Sequence, residues 1–242
     1  MTPPRMRPRV LVAIPAHNEQ LLLGRALEAA VQAVDDLRSQ CPFDISIGVS
    51  AHRCTDDTFA VAGARLASAD GVDVTVLRDK RSRTVGGVRR RLINAMLTPG
   101  MHAPTTWLLS TDADSIVPPQ WISQMLQAAA REDAVAVAGM TDLVDWSANA
   151  QQRAAYDHIV EAGLTDDGGH RHVYAANLAV RLDAYLAAGG FPSVAHGEEH
   201  HLIEAIRAAG GTVATPRHPR VRTSGRMPGR AAHGLGDLLA TL

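Results

Sequence analysis

Short apolar runs and amphipathic segments alternate along the first 140 residues of the chain. The segment RVLVAIP, residues 9–15, is almost wholly apolar, as in a strand that is covered on both faces. Apolar residues then recur at helical spacing from Leu22 to Ala33, and we expect Asn18 to cap this helix. The same alternation continues to residue 140. The further predicted strands are 44–50, 72–77, 106–111 and 134–140, and the further predicted helices are 55–69, 84–97 and 118–131.

This repeated strand–helix order predicts an α/β fold with a mixed, mostly parallel central sheet flanked by helices. After residue 145 the order changes, with a helix at 147–162, a strand at 173–180 and a last short strand at 212–214. We expect a single domain over residues 1–242. Ligands of such sheets bind at the carboxyl ends of the strands, which directs attention to the segments that follow them.

The overall composition of the chain excludes some classes of protein. The chain has 242 residues, 46% of them hydrophobic, with 24 Lys and Arg against 25 Asp and Glu. This balance argues against a protein that coats nucleic acid. Its two cysteines suit a reducing compartment and make no disulfide framework. Because no apolar run is long enough to span a bilayer, we expect a cytoplasmic protein, with peripheral membrane contact left open.

Two carboxylates, Asp112 and Asp114, follow the predicted strand 106–111 in the segment STDADS. Two carboxylates this close repel one another, and a hard divalent cation removes the conflict. Mg²⁺ or Mn²⁺ takes carboxylate oxygens and commonly shares its other positions with phosphate oxygens. The alternative is a loop with a helix cap and solvated acids.

Polar side chains also follow the first two predicted strands. The segment PAHNEQ, residues 15–20, contains no glycine, which argues against the GxGxxG turn of a dinucleotide-binding protein. Both segments offer side chains that can hold a nucleoside, although a helix N-terminus that favours acids is the alternative explanation. The candidates are His17, Asn18 and Glu19 after the first strand and His52 and Asp56 after the second.

Two further segments carry concentrated charge, one basic and one acidic. The segment 78–91, RDKRSRTVGGVRRR, is densely basic, and Arg83 and Arg89 are candidates for neutralising a pyrophosphate. A solvated helix face is the alternative. In GEEHHL, Glu198 and Glu199 begin a predicted helix whose dipole favours their ionised form, so either can accept a proton from an attacking hydroxyl. Helix capping is the alternative for these acids.

Five segments in order resemble the family 2 glycosyltransferases over roughly residues 9–226. VAIPAHNE is similar to the first-strand motif of that family, VSAHRCTDDT to its second-strand segment and STDADS to its metal-binding DxD. YAANLAVRLDAYLAAGGF resembles its acceptor-side stretch, and GEEHHLIEAIRAAG resembles its ED-x-x-L helix. The resemblance implies a GT-A fold, with a nucleotide-sugar half at about 9–115 and an acceptor half at about 116–226.

The resemblance also implies an activity, an inverting hexosyl transfer from a nucleotide-diphosphate sugar to an acceptor hydroxyl. Asp112 and Asp114 would bind Mg²⁺ or Mn²⁺ on the diphosphate, and Asp112 would also lie against the donor. Glu199 corresponds to the base of the family, with Glu198 beside it. The remaining implied donor contacts are Pro15, His17, Glu19 and Ser50, and the implied acceptor-side residues are Asn177 and Gly190.

The chain departs from the family pattern at three positions. The second-strand acid that usually meets the nucleobase is missing near Ser50. Glu199 stands where the family has an aspartate. Thr223 lies near the place of a late-strand histidine that often binds the metal, and His218 is the other candidate for a third ligand.

Three alternatives to this function stay open. A retaining GT-A transferase shares the DxD motif but needs no base, and a catalytically idle module binds the sugar nucleotide without turnover. A nucleotidyltransferase also uses paired acids on an α/β sheet, but usually opens with a glycine-rich loop. We expect the partners to be a sugar nucleotide and a small or lipid-linked acceptor, without nucleic acid and with homo-oligomer formation open.

Overall fold

The computed structural model describes residues 7–227, 229 and 235–242. Residues 1–6, 228 and 230–234 of the expected domain lie outside the described residues. The described strands are β1 (Arg9–Ala16), β2 (Asp44–His52), β3 (Asp73–Asp79), β4 (Thr106–Ser110), β5 (Ser115–Ile116), β6 (Ala136–Ala138), β7 (Met140–Val144), β8 (Leu178–Arg181), β9 (Val213–Ala214) and β10 (Arg220–Ser224). The described helices are α1 (Leu23–Gln40), α2 (Thr58–Leu66), α3 (Val85–Met96), α4 (Trp121–Arg131), α5 (Ala150–Ala162), α6 (Leu182–Ala187), α7 (Glu198–Ala208) and α8 (Leu235–Thr241).

The strands form two sheets. Seven strands make the central sheet in the order β3-β2-β1-β4-β8-β6-β9, in which β8 alone runs antiparallel to its neighbours β4 and β6. A second sheet of three strands has the order β5-β10-β7. The mixed, mostly parallel α/β architecture expected from the sequence is therefore confirmed.

Helices cover both faces of the central sheet. Successive side chains of a strand point to opposite faces, so an apolar strand such as β1 needs cover on both. Val10, Val12 and Ile14 of β1 pack in one cluster with apolar residues of α1, α2 and α4. Leu11 and Ala13 pack in a second cluster with residues of α3, α6 and α7. The strand β1 is buried along its length, as its apolar sequence predicts.

Three local expectations were wrong. Asn18 does not cap α1, which begins at Leu23. The predicted strand 173–180 starts only at Leu178, after a 3₁₀ turn over Ala175–Asn177. The predicted strand 134–140 is divided at Gly139, where an added Cβ would lie 2.3 Å from the Asn177 amide nitrogen. None of the described helices combines the length and apolar character needed to cross a membrane.

Candidate active site

The carboxyl ends of β1 and β4 flank the point at which the strand order of the central sheet reverses. Chain order runs outward from β1 through β2 to β3 on one side, and β4 lies on the other side. In open α/β sheets, ligands bind in the crevice at such a point. The loops after β1, β2, β3 and β4 therefore carry the candidate site.

Two histidines connect the first three of these loops. The Nδ1 atom of His17 donates to the carbonyl oxygen of His52 over 2.7 Å. The Nε2 atom of His52 donates in turn to the carbonyl oxygen of Ser82 over 2.8 Å. Since carbonyl oxygens only accept, these bonds fix the protonated nitrogen of each ring. The structure thus brings the predicted residues His17 and His52 together.

Asn18 and Asp56 hold the loop after β1 against the loop after β2. The Thr55 amide donates to Asn18 Oδ1 over 2.8 Å, and the Gln20 amide donates to Asp56 Oδ2 over 3.1 Å. Burial acts to raise the pKa of Asp56, but hydrogen bonds from Thr58 and Gln20 outweigh it and lower that pKa. These predicted contact residues therefore use their side chains to shape the loops.

The other predicted donor contacts differ in exposure. Pro15 and Ser50 pair across β1 and β2 and are both buried. The Ser50 hydroxyl has no hydrogen-bond partner among the described residues. Arg83 is exposed on the loop between β3 and α3. Of these three residues, only Arg83 offers its side chain to solvent.

The loop after β4 holds the two predicted metal ligands. Burial and the nearby charge of Asp112 raise the pKa of Asp114 to about 7, although Arg226 opposes this shift. Glu19 of the first loop adds to the same negative field. These hard oxygen donors fit Mg²⁺ or Mn²⁺, with the remaining positions left to phosphate and water. The described residues contain no group of three or more His, Cys, Asp or Glu side chains arranged for a metal.

The two candidates for a third ligand lie on or before β10. Thr223 is buried, and its Oγ1 accepts a hydrogen bond of 2.9 Å from Ser115 of β5. His218 is exposed and precedes a cis peptide bond to Pro219. The Thr223 hydroxyl thus joins β5 to β10 and so fixes the end of the DxD loop.

Arg226, which the sequence reasoning did not single out, contacts the metal-ligand candidate. Its Nη1 donates to Glu19 Oε2 over 2.8 Å, and its Nη2 lies 3.1 Å from Asp114 Oδ2. The hydrogen bonds with Glu19 raise the pKa of Arg226 further above its ordinary value. Its partners lie far away along the chain, so no local pattern could have identified it.

Arg89 lies in the core, in contrast to the phosphate contact expected from its basic segment. Its side chain is 3% exposed and makes three polar contacts. The Nε atom donates to Ser110 Oγ over 3.0 Å, Nη1 donates to Glu198 Oε1 over 2.5 Å, and Nη2 pairs with Asp112 Oδ1. Arg89 thereby joins the end of β4 to the first turn of α7.

The two glutamates of α7 have different surroundings. Glu198 has a side chain only 4% exposed, and burial raises its pKa against the opposing charge of Arg89. The Glu199 side chain is 18% exposed and lies 3.5 Å from His200 Nδ1. Burial acts to raise the pKa of Glu199, but the His200 hydrogen bond and the Arg89 charge help to hold it below its ordinary value. Glu199 is therefore the more accessible of the two acids, and its surroundings favour the ionised form more than those of Glu198 do.

Close packing holds α7 against α3. A Cβ added at Gly86 of α3 would lie 2.2 Å from the Pro192 carbonyl oxygen and 2.8 Å from Glu198 Cβ. Gly190, predicted on the acceptor side, has a φ of 72° in the turn before α7 and lies against the Tyr185 ring. Glycine is needed there because other residues rarely adopt that conformation.

Asn177, predicted on the acceptor side, lies in the core. Its side chain is fully buried, and its amide nitrogen donates to the carbonyl oxygens of Met140 and Pro219 over 2.8 and 2.9 Å. Its Oδ1 accepts from Trp121 Nε1 over 2.9 Å. Asn177 therefore connects the central sheet to the second sheet. The sequence did not predict this buried position, because Asn177 is a polar residue.

The architecture is the GT-A fold of glycosyltransferases. A family model described as "Glycosyltransferase like family 2" matches residues 8–226, and the chain belongs to that family. The resemblance inferred from the motifs is thus confirmed. A search of curated proteins gave no match.

Solved glycosyltransferases have the same fold. S. aureus TarS 1–349 in complex with UDP-GlcNAc matches with a TM-score of 0.66 at 11% identity, over 95% of this chain and 61% of TarS 1–349. The mannosyltransferase PcManGT from Pyrobaculum calidifontis, in complex with GDP-Man and Mn²⁺, matches with a TM-score of 0.65 at 18% identity, over 93% of this chain and 59% of its own. The chain thus spans about three-fifths of the length of these solved chains.

Proposed function

We propose that the protein is a metal-dependent inverting glycosyltransferase that moves a sugar from a nucleotide-diphosphate sugar to an acceptor hydroxyl. One observation carries the proposal. Arg89 contacts both Asp112 of the DxD loop and Glu198 at the start of α7. The helix that carries Glu199 therefore begins close to the carboxylates assigned to the diphosphate. A proton acceptor beside a diphosphate site is the arrangement that direct transfer needs.

Glu199 acts as the base in this proposal. It accepts the proton of the acceptor hydroxyl, whose oxygen forms the new bond to the anomeric carbon. The bond from that carbon to the diphosphate breaks, and its electron pair leaves with the diphosphate. Attack from the face opposite the leaving group inverts the anomeric centre. The surroundings that lower the pKa of Glu199 keep the side chain in its ionised form, which is the form that can accept a proton.

Asp112 and Asp114 would hold Mg²⁺ or Mn²⁺ when the donor is bound. The cation supplies charge stabilisation to the departing diphosphate. Mn²⁺ in the PcManGT complex supports this proposal, as do the UDP-GlcNAc of TarS and the GDP-Man of PcManGT for the class of donor. The acceptor is proposed to be a small or lipid-linked hydroxyl compound.

A thermal-shift screen of UDP-, GDP- and dTDP-sugars, each with and without Mn²⁺, tests the donor class. A ligand at about 100 times its dissociation constant should stabilise the protein by about 2.7 kcal/mol. We expect one nucleotide family to give a shift that requires the metal. If no donor shifts the melting temperature in the presence of Mn²⁺, glycosyl transfer from these donors is not the function.

Substitution of Glu199 tests the mechanism. Glu199→Gln should keep donor affinity and lose roughly 10² to 10⁴ in transfer rate, because the amide cannot accept the proton. Glu204→Gln, at an exposed position of the same helix, is the matched control and should transfer normally. Near-normal turnover by Glu199→Gln would exclude Glu199 as the base.

The configuration of the product separates inversion from retention. We expect the anomeric carbon of the product to have the configuration opposite to that of the donor, measured by proton NMR coupling constants. The same configuration in donor and product would indicate a retaining GT-A transferase. Donor binding without turnover across a panel of acceptors would favour an idle binding module.

A further inference from the structure

A single guanidinium connects two loops of the candidate site. Arg226 bonds Glu19 in the loop after β1, and it pairs with Asp114 in the loop after β4. These loops flank the crevice at which a ligand of the sheet is expected. Arg226 thus bridges the two loops and contacts one of the two carboxylates assigned to the metal.

The surroundings of Arg226 combine a fixed backbone with a partly exposed side chain. The neighbouring Gly225 amide donates to the Val144 carbonyl oxygen over 2.7 Å, which anchors the chain just before Arg226. The side chain of Arg226 is 26% exposed, against 5% for Glu19 and 18% for Asp114. The carboxylates are therefore more deeply set than the guanidinium that covers them.

A guanidinium and a divalent cation compete for the same carboxylate. Mg²⁺ binds an oxygen ligand at about 2.0–2.1 Å, and two cations sharing one carboxylate repel each other strongly where water is limited. The pairing of Arg226 with Asp114 Oδ2, at 3.1 Å, therefore opposes metal binding at that oxygen. The three nearby acids, Asp112, Asp114 and Glu19, nevertheless need positive charge whenever no metal is bound.

We propose that Arg226 is the counter-cation of the unloaded site, and that the divalent cation must displace it from Asp114 when the sugar nucleotide binds. The inference rests on the proposed function, which assigns the cation to the diphosphate. Its consequence is that free metal binds weakly by itself. Phosphate oxygens of the donor then supply the additional ligands that favour the exchange.

The test is a titration with Mn²⁺ alone, followed by the EPR signal of the unbound ion, with no donor present. Arg226→Met removes the charge and keeps a similar length of apolar side chain. We expect it to bind Mn²⁺ about tenfold more tightly than the wild type, because a competing positive charge is gone. Arg222→Met is the matched control, since Arg222 is exposed on β10, just before Arg226 in the chain, and the change in net charge is equal. The control should stay within about twofold of the wild type.

A scaffolding role for Arg226 gives the opposite result. If the arginine only orients Asp114 for the metal, Arg226→Met should bind Mn²⁺ more weakly, and that outcome overturns the proposal. Equal affinity in both proteins, or no Mn²⁺ binding by either, overturns it as well. Thermal melts in EDTA verify that each variant is folded. If Arg226→Met does not fold, Arg226→Gln removes the same charge and takes its place in the titration, and Arg226→Lys, which keeps the charge, should bind Mn²⁺ less tightly than the variant without it.

The result is separable from the proposed function. The titration contains no sugar nucleotide, whereas the donor screen uses the wild-type protein. A metal-dependent donor shift together with unchanged Mn²⁺ affinity in Arg226→Met would refute only the counter-cation role. Absence of any donor shift would refute the function, whatever the titration shows.

Discussion

The two aspartates of the DxD loop each contact one arginine, and the two arginines differ in origin and burial. Arg89 comes from the middle of α3 and its side chain is 3% exposed. Arg226 follows β10 and its side chain is 26% exposed. Asp112 is thus paired with a buried arginine, whereas Asp114 is paired with a partly exposed one.

Burial determines what each pair can do. Removing one member of a buried pair leaves an uncompensated charge and is strongly unfavourable, whereas a pair with a partly exposed member lets water or a ligand replace the partner at lower cost. The contacts of Arg89 therefore fix α7 relative to β4 and keep Glu199 near the DxD loop. The contacts of Arg226 can be exchanged for those of a ligand. The contacts of Arg89 thus form a rigid frame for the site, and Arg226 supplies a positive charge that a ligand can replace.

The largest effect is expected from breaking the frame. Arg89→Met should lower the free energy of unfolding by about 3–5 kcal/mol, because Glu198 would be left buried without its partner. Urea denaturation measures the loss, provided that the dependence of the free energy of unfolding on urea concentration is the same as in the wild type. Arg90→Met, at an exposed position of the same helix, is the control.

A second substitution verifies the cause of that loss. Glu198→Gln in the Arg89→Met background removes the unpaired charge, so much of the stability should return. If Arg89→Met alone costs less than about 1 kcal/mol, the pair behaves as an exposed one and the contrast with Arg226 fails.

An effect of opposite sign is expected at Asp114. The pKa of this residue is raised from 3.8 to about 7 in the folded protein, so its ionisation opposes folding. The stability is fully present below the unfolded-state pKa and is lost as the pH rises through the folded-state value. Asp114→Asn should therefore stabilise the metal-free protein at about pH 8, by on the order of 4 kcal/mol.

Melting curves across pH give the measurement for Asp114. The difference between Asp114→Asn and the wild type should shrink as the pH falls from about 8 to about 5. Asp157→Asn, at an exposed position of α5, should show no such trend. A gap that is independent of pH would mean that the pKa of Asp114 is not raised in the folded protein.

The first half of the chain could be predicted because its signals are local. The apolar sequence of β1 and the helical spacing of α1 predict which side chains are buried, and both patterns involve only residues close in sequence. Parallel strands bring their carboxyl ends to one edge of the sheet. The proximity of His17 to His52 follows from that geometry. The cap assigned to Asn18 was wrong because its side chain bonds the Thr55 amide of another loop.

The second half depends on contacts between distant residues. Arg89 and Glu198 are 109 residues apart, and Arg226 and Glu19 are 207 residues apart. The local sequence around each arginine therefore could not predict its partner. Asn177 was placed near the acceptor by resemblance, whereas its amide closes the junction of two sheets. A buried polar residue is satisfied by partners that only the folded chain supplies.

The smallest effect is expected at the start of the helix that carries Arg89. Thr84 Oγ1 accepts from the Gly87 amide over 3.1 Å and lies 3.0 Å from Ser193 Oγ. Thr84→Ala should lower the free energy of unfolding by about 1 kcal/mol, the usual loss for a missing N-cap, while Thr84→Ser keeps the acceptor and most of the stability. Urea denaturation of both variants measures this. A loss as large as that of Arg89→Met would show that the position of α3 and α7 depends on the Thr84 contacts and not on the buried pairs of Arg89. Burial would then not explain the difference between Arg89 and Arg226.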